Sequence, residues 1–258
     1  CPRGGPHMAE PDRLTPLTWT GAARDLGVAV GEVVSLVGGG GKSSLLFALG
    51  DLHGSGTVLT ATTRMGADQA GEAHLLVRPE TADLVRALEG PEPVLVWDRV
   101  DGPKAIGVDP SVPASWLAHA DRVIVEADGA RGHPAKAPAP HEPVIADDTS
   151  TVVAVMGADA LDRVIEDQCH RPLRVAALVG CSPYERLTPE RAARLLLDSN
   201  GSRRGVNRGV RFTVAITKVS EDNRALVDRV VAELDRADPG VGIVLVADHP
   251  TRPDPYER

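Results

Sequence analysis

The chain has 258 residues, with 28 basic and 36 acidic side chains and a formal net charge of −8. That length suffices for one sizeable core, and an acidic balance without a basic block argues against nucleic acid or an anionic membrane as the main partner. No apolar run approaches the ~20 residues of a membrane span, and Cys1, Cys169 and Cys181 make no disulfide framework, so a reducing cytoplasm is the expected compartment.

Residues 1–8 (CPRGGPHM) read as a cloning remnant without a secretory signal, leaving 9–258 as one domain. A short helical pattern at Ala22, Ala23 and Leu26, beside Trp19, leads into the first strand. There Val33-Val34-Ser35-Leu36-Val37 runs into Gly38, Gly39, Gly40 and Gly41, then Lys42, Ser43, Ser44 and a helix-forming run. Strand, glycine turn, Lys-Ser and helix is the context of a phosphate-binding loop. Glycines let backbone N–H groups converge on an anion, and the helix N-terminus adds partial positive charge. Lys42 would reach the terminal phosphates of a nucleoside triphosphate and the Ser43 hydroxyl would sit on Mg²⁺. The spacing is unusual: G-x-x-x-x-G-K-[ST] needs glycine at Leu36, and K-G-G-x-G-K-[ST] needs lysine at Val37.

A second buried strand is predicted over 57–62, then a strand over 74–77, a helix over 79–88 and a strand over 93–97. A Gly/Pro-interrupted stretch over 101–108 follows. The most apolar strand, 122–127, precedes a Gly/Pro/His-rich loop over 128–148, and 152–156 is again strand. Residues 158–198 read mainly as helices, one capped by Thr188 with Pro189 at its first position. A polar loop over 199–209, a strand over 210–217, a helix over 221–235 and a strand over 242–246 close the chain. Alternating strands and helices, with strands read as apolar runs, predict a mostly parallel sheet flanked by helices. The fold expected is an α/β, P-loop NTPase-like domain with a mainly helical insertion over about 158–207.

Glu126 and Asp128, at the end of an apolar strand, fit the acidic half of an NTPase site, where a carboxylate holds the Mg²⁺ shell or polarises water. Asp128 is the favoured metal residue, with Glu126 as alternative ligand or water-orienting base. Thr62, Thr63 and Arg64 end the neighbouring strand. A threonine there can read a γ-phosphate, and Arg64 could neutralise developing charge. The loop holding Arg131, His133, Lys136, His141 and Glu142 is read as the substrate-facing wall. Its histidines, and Cys169-His170 with Cys181, match no trusted zinc spacing. Thr217-Lys218-Val219-Ser220 is similar to [NT]-K-x-D with its carboxylate replaced by Ser220; Lys218 could cover a base or ribose, and the base stays open.

These residues together resemble the YqeC family, accessory proteins for selenium-dependent molybdenum hydroxylases. The resemblance rests on the glycine loop through Ser43, on Thr60-Ala61-Thr62-Thr63-Arg64-Met65, and on Lys104 with Gly107. Most specific are Glu126-Ala127-Asp128-Gly129-Ala130-Arg131-Gly132, Lys136-Ala137-Pro138 and His141-Glu142-Pro143. Ala61 stands inside what is usually a threonine run, and Ser43 where threonine is usual. Membership implies a nucleotide-binding protein in molybdenum- or selenium-cofactor maturation, with a molybdenum-cofactor-type molecule or a molybdenum hydroxylase as partner. The leading expectation is a Mg²⁺-dependent NTPase. The alternatives are a small-molecule kinase or nucleotidyltransferase acting on a cofactor precursor, and a nucleotide-gated binding protein with negligible turnover.

Overall fold

The computed structural model describes residues 14–71 and 73–248, and the expectation for residues 1–8 lies outside them. Helix α1 (Trp19–Asp25) starts at Thr18, whose hydroxyl accepts the Gly21 N–H at 3.1 Å and so satisfies one of the unpaired donors of the first turn. It is followed by β1 (Glu32–Gly38), α2 (Lys42–His53), β2 (Thr57–Ala61), β3 (His74–Val77), α3 (Thr81–Leu88), β4 (Val94–Trp97), β5 (Arg122–Glu126) and β6 (Thr151–Gly157). The chain then adds α4 (Pro172–Val179), α5 (Pro189–Leu197), β7 (Arg211–Val219), α6 (Arg224–Ala237) and β8 (Gly242–Ala247).

The eight strands form one sheet in the order β8-β7-β6-β1-β5-β2-β4-β3, and every pairing is parallel. Both faces are covered, which is why the strands read as apolar runs rather than alternations. On one face α1 and α2 bury Ala22, Ala23, Leu45, Leu46 and Leu49 against Val34, Leu36, Ile124 and Val155. On the other, α3 seals one end with Leu84 and Leu88, while α5 and α6 seal the other with Leu195, Leu196, Val227 and Leu234. Each such leucine contributes about 1.5–3 kcal/mol by leaving water.

After β1 the chain moves toward the β3 edge; after β6 it moves the other way, toward β8. The strand order therefore reverses at the β1/β6 pair, where an open α/β sheet leaves a crevice beyond its strand C-termini. The glycine loop sits there. Leu36 and Val37 are fully buried strand residues, and only three residues separate β1 from α2, so the loop is shorter than the standard spacing would give.

Two stretches differ from expectation. Residues 99–106 form a hairpin of two short strands, Arg99–Asp101 and Lys104–Ile106, turned at Gly102-Pro103; Arg64–Gly66 adds a third antiparallel strand. The Gly/Pro pair is thus a tight turn rather than an interruption. Between β6 and β7 the expected helices are accompanied by a two-residue strand, Cys169–His170, paired in parallel with Ala135–Lys136 of the long loop after β5. Residues 158–207 also share one apolar core with the sheet: Leu187, Ala192 and Leu195 pack with Val152, Ala154 and Ile216. Among the described residues no helix is long and apolar enough to cross a membrane.

Candidate functional site

Four glycines in a row are demanded by crowding. A Cβ at Gly38, where φ is +99°, would lie 2.2 Å from the Val155 carbonyl oxygen, and one at Gly40, where φ is +74°, 2.3 Å from the Gly157 nitrogen. The loop is pressed between the end of β6 and the chain after β5. Gly39 N–H donates to Val155 O at 2.9 Å, and Gly40 N–H donates to His133 O at 3.1 Å. Gly38 N–H donates to both Asp128 carboxylate oxygens at 3.1 Å. Among the described residues the N–H groups of Gly41, Lys42, Ser43 and Ser44 have no backbone acceptor outside α2, as helix geometry requires of a first turn. Those four, with the helix dipole, form the anion-binding end of the site. The Trp19 ring packs against Gly41, with Cη2 2.8 Å from where a Cβ would stand.

Glu126 and Asp128 leave β5 side by side and do different things. Ser43 Oγ donates to Glu126 Oε2 at 2.8 Å. Asp128, 2% exposed, instead pairs with Lys42 Nζ at 3.2 Å and Lys136 Nζ at 3.0 Å. The Lys42 ammonium, itself buried, also donates to Gly38 O at 2.5 Å and lies 4.0 Å from Glu126. Asp128 is the metal residue that the sequence favours, with Glu126 as the alternative; the carboxylate that faces the Ser43 hydroxyl is Glu126. The reason is Lys136, eight residues further on, which folds back and occupies Asp128. Burial pushes the Glu126 carboxyl above its ordinary range and the Asp128 charge adds to this, while Lys42 and the Ser43 hydrogen bond oppose it.

The ion pairs continue outward. Lys136 Nζ donates to Glu142 Oε2 and to Gly129 O, both at 2.7 Å, and Arg171 grips Glu142 with two bonds of 2.7 and 2.9 Å. Burial opposes the Glu142 charge, yet the Arg171 and Lys136 hydrogen bonds outweigh it and hold the carboxyl at about 2. His133 and His170 stack with ring centroids 5.9 Å apart. Burial, then the charges of Arg171, Lys136 and Arg131, push the His170 imidazolium down to about 4, so the ring is neutral at pH 7. Cys169 is buried and its thiol is pushed up to about 12 by burial and by Cys181, which leaves it inert as a nucleophile.

Several of these groups line a cavity of about 1070 Å³ that also takes in Gly40 to Ser44. Of the residues expected at the site, Thr63, Arg64, Lys104, Arg131, His133, His141, Glu142 and Lys218 all line it; Asp128 and Lys136 are buried behind it. The Thr63 hydroxyl is buried without a hydrogen-bond partner among the described residues, whereas Thr62 Oγ1 is committed to Val144 O at 2.5 Å. At the far side Lys218, with φ +56°, donates to Asp159 at 2.6 Å, and Thr217 Oγ1 donates to Gly40 O. Asp159, His170 and Arg171 were not among the expected residues. His170 stands in the sequence only beside Cys169, in a spacing that fits no zinc site, and no spacing ties Arg171 or Asp159 to the glycine loop.

An eight-stranded parallel sheet, a glycine loop at its switch point, and a lysine and serine opening the following helix together define a P-loop NTPase-like α/β protein. Comparison with known proteins narrows this. A family model described as "YqeC protein" matches residues 34–173. The chain is also 31% identical over 202 residues to "Uncharacterized protein YqeC" of Escherichia coli (strain K12), covering 75% of this chain and 78% of that protein. The chain belongs to the YqeC family. The matched region holds the ion-pair chain from Lys42 to Arg171 and excludes Lys218.

Proposed function

We propose that this protein binds a Mg²⁺–nucleoside triphosphate on the loop from Gly38 to Ser44 and hydrolyses it, acting in maturation of a molybdenum- or selenium-containing cofactor or of the hydroxylase that uses it. The observation that carries the nucleotide reading is the 2.8 Å contact between Ser43 Oγ and Glu126 Oε2 at the mouth of the anion-binding helix turn. Mg²⁺ is held by one or two protein oxygens together with phosphates and water. A hydroxyl and a mostly buried carboxylate sharing one point fit that demand, and no group of three His, Cys, Asp or Glu side chains converges among the described residues to suit another metal. When bound, the ion neutralises charge on the phosphates.

Within this reading Ser43 and Glu126 hold the ion, and Asp128 holds Lys42 in place and releases it toward the phosphates. Thr63, whose hydroxyl has no partner among the described residues, would sense the terminal phosphate, and Arg64, next to it in sequence, would meet developing charge. The cofactor-maturation part rests on family membership. Calorimetric titration of ATP, GTP and CTP with Mg²⁺, beside phosphate release, tests the core of the reading. One nucleotide binds and is turned over, and Lys42→Ala weakens binding by about a hundredfold, the worth of charge-assisted hydrogen bonds to phosphate. Absence of binding by all three refutes the phosphate-loop assignment.

A further inference from the structure

Six cations line the cavity, and they divide evenly. Lys42, Arg171 and Lys218 are held by Asp128, Glu142 and Asp159. Arg64, Lys104 and Arg131 make no side-chain ion pair or hydrogen bond with any described residue, and all three are exposed into the cavity. Their clustering is not general basicity, since the chain carries a net charge of −8.

Register explains how two of them come together. In the antiparallel pair, Arg64 opposes Ile106 and Gly66 opposes Lys104. Arg64 and Lys104 are therefore diagonal neighbours on one face of the ribbon, while Met65 and Ala105 are buried on the other. Arg131 enters from the loop after β5 in the left-handed region, φ +52°, next to Gly132. Three carboxylates, Asp68, Glu126 and Glu142, line the cavity with the six cations and leave its lining net positive. At about 1070 Å³ the cavity lies at the upper end of small-molecule sites, which span about 300–1,000 Å³. Like charges gathered on a concave wall without counter-ions raise the local potential and favour an anion there.

We propose that this wall binds a second small molecule, a phosphomonoester or comparable dianion, at Arg64, Lys104 and Arg131 while the nucleotide occupies the glycine loop. The two arginine forks would take phosphate oxygens in pairs and Lys104 would add a point charge. The stacked His133 and His170 rings lie in the same cavity and would offer a flat aromatic face to the rest of the ligand. The inference assumes the nucleotide reading given above.

The test follows thermal unfolding of the full chain against inorganic phosphate at constant ionic strength, with and without a saturating Mg²⁺–nucleotide. Wild type, Lys42→Ala and the triple variant Arg64→Gln/Lys104→Gln/Arg131→Gln are compared. A ligand of the folded state raises the midpoint by mass action. Phosphate stabilises Lys42→Ala and nucleotide-saturated wild type alike, and its apparent affinity falls at least about tenfold in the triple variant, which loses three charge-assisted contacts. Nucleotide affinity of the double variant Lys104→Gln/Arg131→Gln, which spares Arg64, stays within about threefold of wild type, and Lys104→Gln alone gives an intermediate loss of phosphate affinity. The proposal is overturned if phosphate affinity is unchanged in the triple variant, or if the phosphate response vanishes with Lys42→Ala or on adding nucleotide. Failure of the nucleotide reading looks different: wild type ignores every nucleotide while its phosphate response persists.

Discussion

Two sets of ion pairs flank the glycine loop, and they differ in what they can do. From Lys42 through Asp128, Lys136 and Glu142 to Arg171 the charges are mostly withdrawn from water, with Lys136 1% and Asp128 2% exposed at the side chain. Across the cavity Lys218 and Asp159 make a contact just as short, 2.6 Å, but are 40% and 41% exposed. The first set is costly to desolvate and costly to break, so it fixes geometry. The second is screened and contributes little to stability, so it is free to exchange partners with a ligand.

The largest expected effect breaks that contrast at its centre. Lys136→Ala strips the shared cation from Asp128 and Glu142 and should lower unfolding free energy by about 3–5 kcal/mol, as loss of one partner of a buried pair does. Urea denaturation measures it, and a loss under about 1 kcal/mol would mean that the chain of pairs is as solvated as the outer one. Next comes acid. The Glu142 carboxyl is held at about 2, below its ordinary value of 4.5, so its stabilising contribution is complete above pH 4.5 and is lost as pH falls toward 2. Thermal midpoints of wild type should drop more steeply across that window than those of Glu142→Gln; parallel curves would remove the carboxyl from the account.

A smaller effect sharpens the comparison. Burial raises the Glu126 carboxyl above its ordinary range, so keeping it charged costs stability as pH rises, and Glu126→Gln removes that cost. Its midpoint at pH 8 should equal or exceed that of wild type even as Mg²⁺-dependent turnover disappears; a marked fall would make Glu126 a structural partner of Lys42. The smallest effect is at Lys218. Lys218→Ala should change stability by no more than about 0.5 kcal/mol. Its consequence would be read in the relative affinities for ATP, GTP and CTP, and an unchanged ranking would detach this loop from base recognition.

The parts of this site that were legible in the sequence are those whose neighbours in space are also neighbours along the chain. Gly38 to Ser44 announce themselves because strand, turn and helix start are contiguous, and the sheet follows from apolar runs separated by helical ones. Glu126 and Asp128 were both found, but which of them meets Ser43 depends on Lys136 folding back from the loop and on the Gly38 N–H, and neither leaves a periodic trace. Arg171 reaches Glu142 through a two-residue parallel pairing between Cys169–His170 and Ala135–Lys136, far too short to read as strands. The hairpin over 99–106 was masked because its turn, Gly102-Pro103, looks like a break when partner Arg64–Gly66 lies some forty residues upstream.

The contact of Trp19 with Gly41 gives the molecule a built-in optical probe. Of its three tryptophans, Trp97 is sealed in the core with its indole N–H 3.2 Å from Met65 Sδ, and Trp116 lies on a short helical turn before β5, away from the cavity. Only Trp19 touches the backbone from which phosphate contacts would be made. Any anion that tightens the first turn of α2 must therefore shift the polarity around a single indole. Intrinsic emission, with Trp19→Phe as the blank, would report occupancy of the loop in real time without a label.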